Sequence, residues 1–402
     1  MKYLILVCDG MADRKIKELG NRTPMEAANK PTMDALAKVS LCGTVSNVPT
    51  GMVPESDTAN LSILSYDPRL YSKGRSPLEA MSIGLDMQPD ETAYRCNLVT
   101  LSEEEDYPHK IMLDHSADEI TTAEADQLIH ALEATFGNDM RHFYTGVSYR
   151  HCLLWKNSSD TFPFMRPHDI LGQCIESYLP AGETGEPFYK LMRASYDILN
   201  EHPVNKARKQ AGKRPANSIW LWSPGKKPAL PSFTEKWGLR GAVISAVDLI
   251  KGIGICAGMT SIDVEGATGT VHTNYKGKAD AAMQAFDTGY DLVFVHVEGP
   301  DECGHRAEIE NKVSAIEQID QYILKPVLDH LKESSEPFKI FLLPDHPTPI
   351  ELRTHSMEPV PFFVFSSEKA VCGIDSFTEA KAECTKLYYP DGSQLLNFII
   401  EK

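Results

Sequence analysis

No apolar run in this chain approaches the roughly 18 residues that a membrane span requires. The chain opens Met1-Lys2 and passes directly into Tyr3-Leu4-Ile5-Leu6-Val7-Cys8, without a small-residue cleavage site, so no signal peptide is predicted. Its 9 cysteines include no CxxC pair, and such an odd, dispersed set reads as reduced core thiols in a cytoplasmic protein. Positive charge is scarce: 40 Lys and Arg stand against 56 Asp and Glu, a net charge of -16 that argues against nucleic acid or an anionic membrane as partner. A GxxxxGK[ST] phosphate loop, internal repeats and low-complexity tracts are also missing. What remains is an ordinary globular composition, 42% hydrophobic and 24% charged, over 402 residues, enough for two domains.

Against this background the C-terminal third is dense in metal-type ligands. Asp301 and His305 lie four apart in Asp301-Glu302-Cys303-Gly304-His305, Asp345-His346 follows Leu342-Leu343-Pro344, and His355 closes the set. Asp9 ends the opening apolar run. Leu292-Val293-Phe294-Val295-His296-Val297 and Lys339-Ile340-Phe341-Leu342-Leu343 have the continuous apolar character of buried parallel strands. Asp9, Asp301 and Asp345 each fall just past such a run, where open α/β sheets bind ligands. Three Asp and three His can cage two divalent cations, an arrangement suited to phosphoryl chemistry. The mixed oxygen and imidazole donors favour Mn²⁺ first, with Zn²⁺, Co²⁺ or Mg²⁺ as alternatives. Cys303, between two of these residues, reads as small-residue packing.

Strand-helix alternation is interrupted between about Asp90 and Asn205. There, Cys96–Leu101 and His151–Trp155 read as strands, Thr121-Thr122-Ala123-Glu124 as a capping box, and Phe188 to Leu199 as an amphipathic helix. So long a connection within one α/β domain predicts an insertion. The expected organisation is a metal-binding domain of residues 1–89 and 206–402 around an inserted α+β domain of residues 90–205. The fold class is α/β, a mostly parallel sheet flanked by helices.

Three carboxylates against two dications leave about one positive charge, room for one further anion. A serine alkoxide would serve, since a bound cation lowers the pKa of water from 15.7 to about 7. Ser56, in Pro54-Glu55-Ser56-Asp57-Thr58-Ala59-Asn60, is the candidate nucleophile; the alternative is that Ser56 or Asp57 merely caps the following helix.

At this point a family resemblance becomes specific. It is carried by Asp9-Gly10-Met11-Ala12-Asp13, Glu55-Ser56-Asp57-Thr58-Ala59-Asn60-Leu61, Gly74-Arg75-Ser76-Pro77-Leu78-Glu79-Ala80, Gly146-Val147-Ser148-Tyr149-Arg150-His151, Pro167-His168-Asp169-Ile170 and Gly266-Ala267-Thr268-Gly269, together with the ligand motifs. The chain resembles, nearly end to end, the cofactor-independent phosphoglycerate mutases of the archaeal type, in the alkaline phosphatase superfamily. The resemblance implies a phosphatase-like domain with an inserted transferase domain and a phosphoserine intermediate on Ser56, without 2,3-bisphosphoglycerate. It assigns one cation to Asp301, His305 and His355, and the other to Asp9, Ser56, Asp345 and His346. Arg75, Arg150, His151, Lys276 and Lys278 become candidate contacts to a small phosphorylated substrate. Many archaeal members carry arginines where this chain has Asp114-His115-Ser116-Ala117-Asp118-Glu119, which makes Asp114 and His115 candidates too. A homoserine kinase-like phosphotransferase and a metal-dependent phosphatase are the rival activities on the same scaffold.

Overall fold

The first strand, β1 (Lys2–Cys8), is buried at six of its seven positions, as its uninterrupted apolar run predicts. In the computed structural model, which describes residues 1–400, the chain divides into two units, Met1–Ser72 with Ala229–Lys402, and Lys73–Pro228. Strand β2 (Leu41–Val45) also belongs to the first unit. The second unit holds β3 (Glu91–Leu101), β4 (Met112–Asp114), β5 (Arg141–Val147), β6 (Arg150–Lys156) and β7 (Ser218–Lys226). The remaining strands return to the first: β8 (Gly241–Ile244), β9 (Thr260–Ser261), β10 (Leu292–Val297), β11 (Phe338–Leu343), β12 (Val360–Ser366) and β13 (Tyr388–Tyr389).

The large sheet runs β13-β2-β12-β11-β1-β10-β8-β9. Its centre is parallel: β1 pairs with β10 on one side and β11 on the other, and β10 with β8. Only β12 runs against its neighbours, β11 and β2. Leu4, Leu6, Val293, Val295, Ile340 and Leu342 from the three central strands join one core with residues of the covering helices, such as Ala282, Ile316 and Val327. Each of these Leu, Ile and Val side chains contributes about 1.5–3 kcal/mol by leaving water. The expected α/β class, a mostly parallel sheet flanked by helices, is what the chain adopts.

Register matters more than the core for function. Cys8 pairs with Val297 and Val7 with Leu343, so the three central strands end side by side at their carboxyl edge. The loops that follow therefore emerge together.

The second unit is an antiparallel sheet, β4-β3-β6-β5 with β7 paired to β3, packed with the helices Thr122–Phe136 and Gly182–Leu199. The capping box at Thr121 and Glu124 forms, and Phe188, Leu191, Met192, Ser195 and Leu199 supply the buried stripe of the second helix. The unit is wider than the expected residues 90–205 at both ends: it begins at Lys73 and includes the helix Ser76–Ser82, and β7 joins its sheet, Cys96 pairing with Leu221 and Leu98 with Ile219. From sequence, Ser218-Ile219-Trp220-Leu221-Trp222 reads as a strand of the alternation that resumes after the insert; its pairing with β3 corrects this, because an apolar run does not reveal which sheet it enters. Among the described residues, no helix is long and apolar enough to cross a membrane.

Candidate metal centre and nucleophile

The aligned strand ends bring three carboxylates together. Asp9 follows β1, and its amide donates to Val297 O at 3.0 Å, continuing the ladder with β10. Asp345 lies two residues past β11 and accepts from the amides of Gly10 (3.1 Å) and His346 (2.8 Å) through Oδ1. Asp301 stands in the first turn of the helix Gly299–Arg306, entered through Pro300. One turn on, His305 shares its face, with Nε2 3.2 Å from Asp301 Oδ2. Asp9, Asp301, Asp345 and His346 are each at most 5% exposed.

Three imidazoles complete the cluster, each oriented through Nδ1. His305 Nδ1 donates to Arg353 O at 3.0 Å and His355 Nδ1 to Pro54 O at 2.5 Å, while His346 Nδ1 lies 3.4 Å from Thr348 Oγ1. An Nδ1 proton spent on oxygen leaves Nε2 as the lone-pair atom, the usual device by which an imidazole is aimed at a metal. The Nε2 atoms do converge. Those of His305 and His355 lie 2.9 Å apart, His355 Nε2 is 3.4 Å from Asp301 Oδ1, and His346 Nε2 is 3.4 Å from Asp345 Oδ2 and 3.8 Å from Asp9 Oδ1. The rings of His346 and His355 stack at 3.9 Å.

Ser56 begins the helix Ser56–Ile63, whose N-cap is Glu55 and carries no side-chain capping bond. The serine is thus the first helical residue, and its hydroxyl is not used as a cap. Its Oγ faces His346 Nε2 at 3.3 Å. Asn60, one turn later and 0% exposed, donates to Ser56 O at 2.9 Å and to Asp345 Oδ2 at 3.0 Å.

The electrostatics are those of a site built around positive charge. Burial, followed by the neighbouring charges of Asp345 and Asp301, raises Asp9 well above the carboxylate range, whereas Asp345 is lowered: burial opposes its ionisation but His346 and the proton held on Asp9 favour it. Two adjacent carboxylates sharing one proton is how such a pair avoids double ionisation. The hydrogen bond to Asp301 pushes His305 up to about 9. Among the described residues, Asp9 Oδ1 is buried without a hydrogen-bond partner. Three triplets, Asp301/His346/His355, Asp9/Asp345/His346 and Asp9/Glu298/Asp301, place ligand atoms within 4.8 Å of one another and could each hold a cation. The donor set therefore fits divalent metal.

Of the other expected site residues, Lys276 is exposed whereas Lys278 is 1% exposed and donates to His296 O at 2.8 Å. Burial lowers Lys278 to about 8. Lys278 is thus an internal brace of β10 rather than a free cation. In the second unit, Arg150 is exposed beside the Tyr149 ring and pairs across the ladder with Asn97, while His151 pairs with Cys96. Consecutive strand residues point to opposite faces, so Arg150 and His151 do not form a joint contact. His151 is 4% exposed and accepts from Gly146 N at 3.1 Å. Asp114 accepts from Ser116 and Asp118 and pairs with Arg214 at 3.2 Å. Arg75 immediately precedes the helix Ser76–Ser82.

His115 belongs to a polar group that sequence reasoning missed. Its carbonyl accepts from Asn97 Nδ2 at 3.2 Å, and Asn97 Oδ1 accepts from Trp222 Nε1 at 2.9 Å. His168 lies edge-on to both His115 and Trp222, and Arg95, held by Glu79 at 2.8 Å, covers the Trp222 ring. Arg95 and Asn97 occupy alternate positions of β3, a pattern that could have marked a polar face. Beside the carboxylates, His296 was also missed: its Nε2 lies 3.0 Å from Asp9 Oδ2 and Nδ1 3.2 Å from Ser245 Oγ.

The geometry can be set beside known proteins. A family model described as 2,3-bisphosphoglycerate-independent phosphoglycerate mutase matches residues 37–205. The "probable 2,3-bisphosphoglycerate-independent phosphoglycerate mutase" of Geobacter sulfurreducens is 45% identical over 406 residues, covering 100% of both chains. The 2,3-bisphosphoglycerate-independent phosphoglycerate mutase of Methanosarcina barkeri is 46% identical over 403 residues, again with 100% of both covered. Among solved structures, a protein of Pyrococcus horikoshii superposes with a TM-score of 0.83 at 30% identity, over 99% of this chain and 96% of the other. The cofactor-independent phosphoglycerate mutase of Thermoplasma acidophilum gives a TM-score of 0.69 at 26% identity, over 100% and 99%. Full-length identity of this order makes the chain a member of the 2,3-bisphosphoglycerate-independent phosphoglycerate mutase family, and hence an enzyme of the isomerase class.

Proposed function

We propose that this enzyme interconverts 3-phosphoglycerate and 2-phosphoglycerate by way of a phosphoserine on Ser56, as a cytoplasmic step of glycolysis and gluconeogenesis. The observation that carries the reading is the placement of Ser56 Oγ 3.3 Å from His346 Nε2, at the first residue of a helix and beside a buried cluster of carboxylates and imidazoles. Asp301, His305 and His355 would hold one divalent cation, and Asp9, Ser56, Asp345 and His346 the second, with Mn²⁺ the favoured metal. Bound there, the cations would lower the pKa of the Ser56 hydroxyl and neutralise charge on the transferring phosphoryl group.

The chain's own residues supply the rest. Ser56 attacks phosphorus; its O–P bond forms as the bond to the glycerate hydroxyl breaks. The first turn of the Ser56–Ile63 helix presents N–H groups to the phosphoryl oxygens. Asn60 and the Pro54–His355 contact keep the serine in register with the ligand cluster. The other glycerate hydroxyl then takes the phosphoryl group back, so no phosphorylated primer enters. Arg75, His115 and Arg150 are the side chains of the second unit proposed to recognise substrate, with Lys276 in the first.

The test is a coupled assay for 2-phosphoglycerate formed from 3-phosphoglycerate, without 2,3-bisphosphoglycerate. Interconversion with no inorganic phosphate released is the expected result. Phosphate release as the main reaction would indicate a phosphatase, and ATP-dependent phosphorylation of homoserine a kinase; either overturns the mutase reading.

A further inference from the structure

Thr348 is 0% exposed and lies between the residues assigned to the two cations. Its Oγ1 donates to Asp301 Oδ1 at 2.5 Å. A hydroxyl has one proton to give and lone pairs to spare, so the 3.4 Å approach to His346 Nδ1 is made as acceptor. Asp301 belongs to one proposed cation and His346 to the other.

The residue is seated for this role. Two glycines make room for it: a Cβ on Gly10 would fall 2.6 Å from Thr348 Oγ1, and a Cβ on Gly304 2.8 Å from its Cγ2. Gly10 also has φ +61, where a side chain is strained in any case. Behind, the buried Lys312 ammonium donates to Thr348 O at 2.8 Å and to Asp13 Oδ2 at 2.7 Å, fixing the backbone. The hydroxyl is therefore presented at one place rather than sampling rotamers.

We infer that Thr348 is a positioning residue that couples the two cation sites, its hydroxyl orienting Asp301 for one and holding His346 with Nε2 toward the other. The inference rests on the two-cation reading above. Donation to Oδ1 fixes the carboxylate plane of Asp301. Acceptance from Nδ1–H keeps the His346 proton off Nε2, the atom that faces Ser56. A loss of the hydroxyl should therefore be felt at both cations, although only one side chain has changed.

The experiment compares Mn²⁺ binding by titration calorimetry for the wild type, Thr348→Val and Thr348→Ser, all first stripped of metal. Wild type is expected to bind two Mn²⁺. Thr348→Val, which keeps shape and loses the hydroxyl, should bind both about 10- to 100-fold more weakly, with kcat reduced and the melting temperature of the metal-free protein little changed. Thr348→Ser should recover both affinities, which mere filling of space by the methyl group would not explain. Should the valine variant fail to fold, Thr348→Cys, with a far poorer donor in the same place, carries the same expectation. Undiminished affinity at both sites, or weakening confined to one, overturns the coupling. Fewer than two Mn²⁺ on the wild type removes the two-cation reading and the coupling with it.

Discussion

His305 and His355 face each other with their Nε2 atoms 2.9 Å apart, while each ring spends its Nδ1 proton on a backbone carbonyl. Two lone pairs cannot approach so closely unless a proton or a cation lies between them. Hydrogen bonding to Asp301 holds His305 at about 9, so without metal it carries that proton at neutral pH. A cation held by His305, as proposed, would have to displace it. Chelation is expected to abolish activity and Mn²⁺ to restore it better than Ca²⁺. Affinity should increase from pH 7 to pH 9 as His305 gives up its proton, and calorimetry in buffers of different ionisation enthalpy should record proton release. A pH-independent affinity, or full activity in excess chelator, would contradict this.

Ser56→Ala is expected to remove turnover while leaving metal binding largely in place, because the Asp and His donors are untouched. Phosphate trapped during turnover should map to Ser56 by mass spectrometry of the wild type. Phosphate recovered on another residue would refute the nucleophile.

Asn60 ties the helical turn of Ser56 to Asp345 through one amide group. Asn60→Ala removes both bonds in a buried setting, where each lost partner costs about 1–3 kcal/mol. The expected outcome is a fall in kcat of about 10- to 100-fold with KM nearly constant, since the serine and not the substrate contacts is displaced. A rise in KM at unchanged kcat would place Asn60 in substrate binding instead.

His151 is buried in the second unit, and burial lowers it to about 4 from 6.5. Between those values the unfolded chain binds a proton that the folded chain refuses. Its contribution is present above pH 6.5 and is lost as pH falls toward 4, by at most about 1.4 kcal/mol per pH unit. Amide exchange in β3 and β6 should accelerate over that range, and His151→Gln should flatten the dependence. Exchange insensitive to pH, after correction for the intrinsic rate, would show that His151 is not the cause.

Arg150 is exposed, with its guanidinium 5.6 Å from the centroid of the Tyr149 ring. Arg150→Ala is expected to raise KM or lower kcat by about 10- to 100-fold, as a charged hydrogen bond is worth about 1.5–3 kcal/mol. Steady-state kinetics in the coupled assay decide it; wild-type constants would remove Arg150 from the site.

The central strands and their carboxylates were legible because buried parallel strands are continuous apolar runs and sheets bind ligands where such runs end. Less local information was not. Trp220 and Trp222 mark a strand as clearly as Val293 and Val295 do, yet hydrophobicity does not say that β7 pairs with β3. Lys276 and Lys278 look alike in sequence; two residues on a helix are about 200° apart, so one faces water and the other is internal. Thr348 and Asn60 escaped notice because supporting side chains are defined by what they touch. Their hydroxyl and amide become informative only when Asp301, His346 and Asp345 are in place.

The position of β1 between β10 and β11 has a consequence for biosynthesis. This strand leaves the ribosome long before its partners, which begin at Leu292 and Phe338. Until translation reaches Val297 both of its edges are open, a hazard for strand-to-strand association. Premature termination before β11 would leave such an edge permanently and would omit Asp345, His346 and His355. A truncated product would thus be prone to aggregate and incapable of catalysis for the same topological reason.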